Sequence, residues 1–494
     1  MKLNLIVCFI VLNVNLPAQV TVDWYNYPGG IAVATNNHDD VYTVNWDYNP
    51  AGDITLTKRD SSGSVLWDTA YNNTDNSRHE VATWVETDNA GNILVSGTIR
   101  SGFSSPVDAA SLLMKFDSSG ALLWRVVYEN SFDGSSTKKV LVDANNNIYV
   151  LGLGTGPLGM VTKVKKFDST GIPVWSYFDT SGIGAPLNIK FTPDSNILIV
   201  SRGATGIVNG FSKIDLNGNT IWSIAGINSS TIGDAAGDAF GNTYLINGEY
   251  VISNSGSVIQ KLSPNGSQIW ADTNRITAFR VEVGNDNHPV ICGFPNSGTA
   301  GAAFIKYDSA GNVLWQNLDA DGPAYALLLH AQMRMDPDNA AYLAAGTLNQ
   351  MALCKVNSNG TSEWTVTIPG SYANAFDFQS ADALYIVGGT TAKLRQSITT
   401  TVAQQEYAST VNEINLFPNP FQSLSTLEFN LSEINTVSIS IVDAVGRTLK
   451  CISTTELEPG KNKIAMDLSE LKSGIYFGIL KTNENMQILK LIKN

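Results

Sequence analysis

Short apolar runs of four to eight residues recur along the chain, each bounded by turns rich in Asp, Asn, Ser and Gly. Runs of that length and punctuation predict β-strands rather than helices. Seven of them lead into one ten-residue pattern: Lys, a variable residue, usually Asp, two small residues, Gly, three variable residues and Trp. It runs from Lys58 to Trp67, Lys115 to Trp124, Lys166 to Trp175, Lys213 to Trp222, Lys261 to Trp270, Lys306 to Trp315 and Lys355 to Trp364. The Asp side chain accepts hydrogen bonds from the backbone two residues on, and Gly tolerates positive φ, so each copy predicts a hairpin. A looser signature follows each Trp: a polar turn and then a β-rich run, as in Asn89 to Gly97, Asn145 to Gly152, Gly241 to Gly248 and Ala381 to Gly389. Another short strand precedes it, such as Lys139 to Asp143. Each unit therefore carries four strands.

A unit of this size cannot bury both faces of its sheet alone, so such repeats stack as blades around an axis. Successive tryptophans from Trp67 to Trp364 lie 45 to 57 residues apart, the regular recurrence that docking between blades needs. Sugar-stacking platforms are the weaker reading of the same residues. Two half-patterns are left over. Trp24 has no Lys-Asp-Gly half before it, and Lys393-Leu394-Arg395-Gln396 has no Trp after it. Joined, they complete a last blade and remove an exposed edge. The expected fold is all-β: an eight-bladed β-propeller, with seven blades as the alternative, followed by a small C-terminal β-sandwich.

The ten-residue pattern resembles the tryptophan-docking repeat of quinoprotein-type β-propellers over residues 20–396. Lys stands where that repeat has Ala, and its Thr is present only as Thr170. The resemblance implies the fold. The chain has neither the adjacent Cys pair nor the carboxylate cluster that quinone chemistry needs, so no such cofactor is expected.

The two ends add an address. Met1-Lys2, the apolar run Leu3 to Leu12 and the small Ala18 predict a secretory signal peptide over residues 1–18. That run is too short to span a membrane as a helix, and Cys8 lies within it behind Val7, which disfavours a lipoprotein site. The propeller is expected over 19–396 and a polar linker over 397–410. The segment 411–494 alternates apolar and polar positions, as at Val437, Ile439 and Ile441, and predicts an antiparallel sandwich. Its landmarks are Pro418-Asn419-Pro420, Gly446-Arg447, Gly474-Ile475-Tyr476 and the basic end at Lys490 and Lys493. In order and spacing they resemble the type A sorting domain of the type IX secretion system of Bacteroidetes, with Phe417 where Tyr is more usual. The resemblance implies passage through the outer membrane with that machinery as partner. Removal of the domain and release, or attachment to surface lipopolysaccharide, would follow.

Charge narrows the ligand classes. The net charge of -13 repels nucleic acid and anionic lipid headgroups, leaving glycans, proteins and divalent cations. Cys292, Cys354 and Cys451 are too few and too spread for a disulfide framework. His38, His79, His288 and His330 have no zinc-site spacing. Gly154, Gly156 and Gly159 form a G-x-G-x-x-G between two β-runs, which predicts a loop rather than a dinucleotide site. Calcium stays open at an acidic turn such as Asp319 to Gly322 or Asp336 to Asn339, although neither follows a calcium-loop pattern. Two insertions, 68–78 and 100–109, are expected to reach one rim of the ring. Tyr71, Phe103, Tyr128, Phe132, Tyr177 and Phe178 in or near such connections are the candidate contacts. These features favour a secreted or surface-displayed binding or adhesion module without catalytic residues. The rival is a polysaccharide lyase or hydrolase built on a carboxylate pair about 5–10 Å apart. A structural surface component is the third reading.

Overall fold

The computed structural model describes residues 19–494 except 37–39, 47–52, 72–78, 101–108, 132–135, 157–158, 180–183, 204–207, 229–232, 248–256, 275, 296–300, 321–330, 348, 381–382, 398–410, 432–434, 443–447 and 482–485. The expected signal peptide, Phe103, Phe132, Gly446 and Arg447 therefore lie outside the described residues, as do His38 and His330. Every regular element among the described residues is a β-strand. The chain divides into two compact units, 1–399 and 400–494.

The first unit holds eight four-stranded antiparallel sheets, in the manner of propeller blades. In seven of them the strands follow chain order. The first sheet is Ala32–Thr35, Val41–Trp46, Ile54–Arg59 and Val65–Tyr71, and the next six span residues 79–131, 136–178, 184–228, 234–273, 276–320 and 332–369. The eighth is Ala373–Ser380, Ala383–Gly388, Thr391–Ser397 and, as its outer strand, the N-terminal Gln19–Asn26. Each sheet packs against the next in chain order, and the eighth packs against the first. Sheets covered on both faces need apolar side chains on both. Accordingly Ala109–Phe116, Ala302–Tyr307 and Ala341–Gly346 are buried at every residue, whereas the outer strand Val65–Tyr71 alternates. The glycine pattern at Gly154 to Gly159 is a hairpin, with Gly156 paired to Gly159.

The ten-residue pattern forms the third and fourth strands of each sheet, and its Lys always lies opposite its Trp: Lys58 and Trp67, Lys115 and Trp124, and so on to Lys355 and Trp364. The two orphan halves complete the series, because Trp24 lies opposite Lys393 in the same register. The tryptophans then join neighbouring sheets. The Trp24 ring lies on Gly63, Trp67 on Gly120, Trp124 on Gly171, Trp175 on Gly218, Trp222 on Gly266, Trp270 on Gly311 and Trp315 on Gly360. A Cβ at Gly63 would come within 2.5 Å of the Trp24 ring, and its φ of +86° disfavours any other residue. Glycine is thus required twice at each turn, for backbone conformation and for the indole above it. Several indoles also donate Nε1–H to a turn carbonyl of the next sheet, Trp67 to Ser118 at 3.3 Å, Trp270 to Ser309 at 3.1 Å and Trp315 to Ser358 at 2.7 Å.

The Lys that departs from the quinoprotein-type repeat is explained by the same junction. Lys58 Nζ lies 2.9 Å from the Asp40 carboxylate of its own sheet, donates to the Ser118 carbonyl of the next and sits over the Tyr42 ring. Lys115 repeats the arrangement with Asp88 at 2.7 Å and Ser169 O at 3.2 Å. In these two sheets one side chain therefore ties two turns of adjacent sheets, and its ammonium is paired with a carboxylate.

The second unit has a three-stranded sheet, Val411–Phe417, Leu424–Leu431 and Gly460–Asp467, and a four-stranded one in the order Thr448–Leu457, Asn435–Val442, Gly474–Lys481, Met486–Lys493. Their inward side chains, among them Phe429, Val437, Ile439, Ile441 and Leu480, form one core.

Candidate functional site

A cavity of about 1230 Å³ opens within the first unit, lined from the first strand of every sheet or a residue beside it. It exceeds the roughly 300–1,000 Å³ of ordinary small-molecule sites. Ile31 and Trp46 line it from the first sheet, Thr83 and Trp84 from the second, Lys138 and Lys139 from the third, and Asn188 and Lys190 from the fourth. Asp234 comes from the fifth, Arg280 and Glu282 from the sixth, Gln332 and Arg334 from the seventh, and Asn374 and Phe378 from the eighth. Five cations face two carboxylates on this lining, although the chain as a whole is acidic.

Bulges aim part of this lining. The first strand of five sheets slips register by one residue, at Thr83, Lys138, Leu187, Phe279 and Asn374. A bulged residue is freed from the ladder and its side chain redirected. Phe279 turns into the core, whereas Lys138 faces open space in the cavity.

Two charge networks hold the lining. Lys190 Nζ lies 2.9 Å from Asp234 Oδ2 and 2.8 Å from Glu282 Oε1, and donates to the Val281 carbonyl at 2.9 Å. Burial opposes its charge, but the two carboxylates outweigh burial and raise its pKa above the ordinary lysine value. Burial acts the other way on Glu282, whose carboxyl is raised despite Lys190. Asn188 extends the network, donating to Asp234 at 3.1 Å while accepting from Lys139 Nζ at 3.1 Å. Across the cavity Arg334 pairs with Asp377 at 2.7 Å, and Asp377 also accepts from Thr35 N and Oγ1 at 3.0 and 2.8 Å. Beside this pair lies Glu86, which accepts from Trp84 Nε1 at 3.4 Å. Glu86 is largely enclosed by protein. That enclosure, with the Asp377 charge next, pushes its carboxyl up to about 7.

Of the aromatic residues expected at a rim, the four that are described, Tyr71, Tyr128, Tyr177 and Phe178, stand on the outer strands of their sheets. Tyr71 is buried among core residues of the first two sheets and accepts a hydrogen bond from Arg125. Tyr177 is buried in the next core cluster. Tyr128 packs edge-on against Phe167 at 5.1 Å, and Phe178 lies under Lys163 at 4.7 Å. None of these four lines the cavity; their rings fill joints between sheets or cover a lysine stem. Sequence reasoning missed the cavity residues themselves. The signal was there: Trp84, Asn188 and Lys190, Arg280 and Glu282, Gln332 and Arg334 occupy equivalent places, opposite matched residues of the second strand. Charge at positions where a sheet interior is otherwise apolar marks a strand that faces a void.

The carboxylate of the acidic turn at Asp336 is engaged by its own sheet. Asp336 Oδ1 accepts from the amides of Asp338 and Ala340, and its Oδ2 from Tyr342. Asp321 and Gly322 of the other turn lie outside the described residues. Among the described residues no group of three His, Cys, Asp or Glu side chains is placed to hold a metal.

In the second unit, Pro418, Asn419 and Pro420 form the turn after its first strand, and Asn419 ties it to the last strand by accepting from Ile492 N at 2.8 Å and donating to Lys490 O at 2.7 Å. Lys493 is buried and donates to the carbonyls of Leu468 and Ser469. Tyr476, two residues after Gly474, donates to Lys472 O. Lys490 is exposed.

Residues 415–494 match the family of secretion system C-terminal sorting domains. The tail marks the chain as a secreted or cell-surface protein exported by the type IX secretion system. Among the described residues no helix is long and apolar enough to cross a membrane. No curated protein matches the chain. Among solved structures it is similar to a protein of unknown function from Bacteroides caccae at 10% identity, covering 67% of this chain and 93% of that one with a TM-score of 0.35. It is also similar to PorZ, described as an essential bacterial surface component of the type IX secretion system of Porphyromonas gingivalis. That match has 10% identity, 94% and 81% coverage and a TM-score of 0.30. A eukaryotic initiation factor matches at 8% identity, 73% and 88% coverage and a TM-score of 0.39.

Proposed function

We propose that the first unit is a closed eight-bladed propeller acting as a binding module at or outside the cell surface, with its ligand site in the axial cavity rather than on the outer strands. The observation that carries this reading is the cavity lining, where every sheet contributes side chains and charged, amide and aromatic groups converge on one space. The eight sheets, the Trp24–Lys393 register and the packing of the eighth sheet on the first support closure. Glycans are the favoured ligand class, since aromatic faces beside amides and charges suit ring faces and hydroxyls together. The test is a glycan and polysaccharide array probed with the exported protein, with and without calcium, each hit then repeated with Trp84→Ala. Hits weakened by that substitution support the cavity; hits indifferent to it, and to Trp46→Ala, would falsify the assignment.

One observation favours the rival reading of a polysaccharide-cleaving enzyme. Glu86, a carboxyl pushed up to about 7 and so able to hold a proton as a general acid does, stands near a second carboxylate, Asp377. Product release from any array hit, abolished by Glu86→Gln, would carry that reading.

A further inference from the structure

We propose that the cavity selects an acidic saccharide, its anionic group held among Lys138, Lys139 and Arg280 with a sugar ring against Trp84; this rests on the cavity being the binding site. Of the five lining cations, Lys190 is satisfied by two carboxylates and Arg334 by Asp377. The other three have no carboxylate partner at ion-pair distance among the described residues. Lys139 donates only to the neutral Asn188 amide and rests over the Trp84 ring at 5.3 Å, while Arg280 donates to the Phe279 carbonyl at 2.6 Å. They are also crowded. Burial and then the Arg280 charge lower the pKa of Lys138; burial, then Lys190 and Arg334, lower that of Lys139 to about 8.

Like charges gathered on one wall without a carboxylate partner repel one another, and an entering anion offsets that repulsion while pairing with them. The bulge at Lys138 matters here, because it directs an ammonium into the void where the equivalent Phe279 of the sixth sheet is buried. A simple inorganic anion would need only the cations. The size of the cavity and its aromatic wall call for an anion attached to a larger, ring-bearing body.

The experiment is calorimetric titration of the full exported chain with an oligogalacturonide, with its fully methyl-esterified neutral form, and with inorganic phosphate. Lys138→Gln, Arg280→Gln and Trp84→Ala are titrated alongside, and thermal unfolding confirms that each is folded. The acidic oligomer is expected to bind at least ten-fold tighter than the ester. Lys138→Gln and Arg280→Gln should erase that preference, and Trp84→Ala should weaken both forms. Equal binding of acid and ester, or a preference surviving both charge substitutions, overturns the acidic selectivity. The cavity reading survives that result if Trp84→Ala still weakens binding, and falls with it if not. Phosphate binding as tightly as the oligomer, with the same dependence on Lys138 and Arg280, overturns the saccharide. Absence of binding by all three probes overturns the proposal outright.

Discussion

Trp364 and Trp270 hold the same place in their hairpins but meet different neighbours. The Trp270 N–H reaches a turn carbonyl in the next sheet, whereas that of Trp364 is buried without an acceptor. The next sheet after Trp364 is the eighth, whose outer hairpin is split between the chain's two ends and so has no turn to offer. Replacing each with Phe should therefore cost about 1–2 kcal/mol more at Trp270 than at Trp364, by chemical denaturation. Glu86 gives a pH signature. Its folded-state pKa of about 7 lies above the ordinary value of 4.5, so the folded chain holds a proton that the unfolded chain has lost. Stability should fall as pH rises between those values and level off above about 7, by up to about 3 kcal/mol. Glu86→Gln should flatten that slope; an unchanged slope would place the titration elsewhere. At this scale the sequence was half legible. The docking tryptophans announce themselves by spacing, but nothing local in Lys139 or Glu86 says that its strand borders a void.

Hairpins were the most legible elements, because Asp and Gly at fixed offsets encode a turn by local chemistry alone. The eighth sheet was legible too, as two incomplete halves of one pattern, and Trp24 indeed lies opposite Lys393. Bulges were not, since an extra residue in a strand leaves the alternation readable in either phase. The closing strand also separates packing from charge. Trp24 docks on Gly63 of the first sheet and donates to Ser61 at 3.1 Å, while the exposed Arg395 pairs with Asp23 at 2.9 Å within the eighth sheet, between the closing strand and its partner. Trp24→Ala is expected to lose about 3 kcal/mol, comparable with an internal docking tryptophan, and Asp23→Ala less than about 1 kcal/mol. Urea titration of the two variants separates these values. Equal losses would mean that the closing strand is held by its ion pair as much as by its docked indole.

The whole chain sorts its charge. An acidic exterior surrounds a cavity richer in cations than in carboxylates, which long-range composition conceals because a net value of -13 averages over both. The first sheets are assembled from neighbouring sequence, each strand reaching back only one hairpin. The eighth is different, for Asp23 and Arg395 are 372 residues apart. Bringing such distant segments together costs about 2 kcal/mol more chain entropy than closing a unit of roughly 50 residues. That cost falls on one strand alone, so it sets an order of events. Contacts of such high separation form late and open early. Amide hydrogen exchange should therefore be fastest, among the outer strands, at Gln19–Asn26, and uniform protection of the outer strands of the first unit would contradict this. A sheet whose outer strand is the unit's own first strand completes itself only when residues from both ends of that unit meet, so in a nascent chain the eighth sheet stays unfinished until its last repeat has been made.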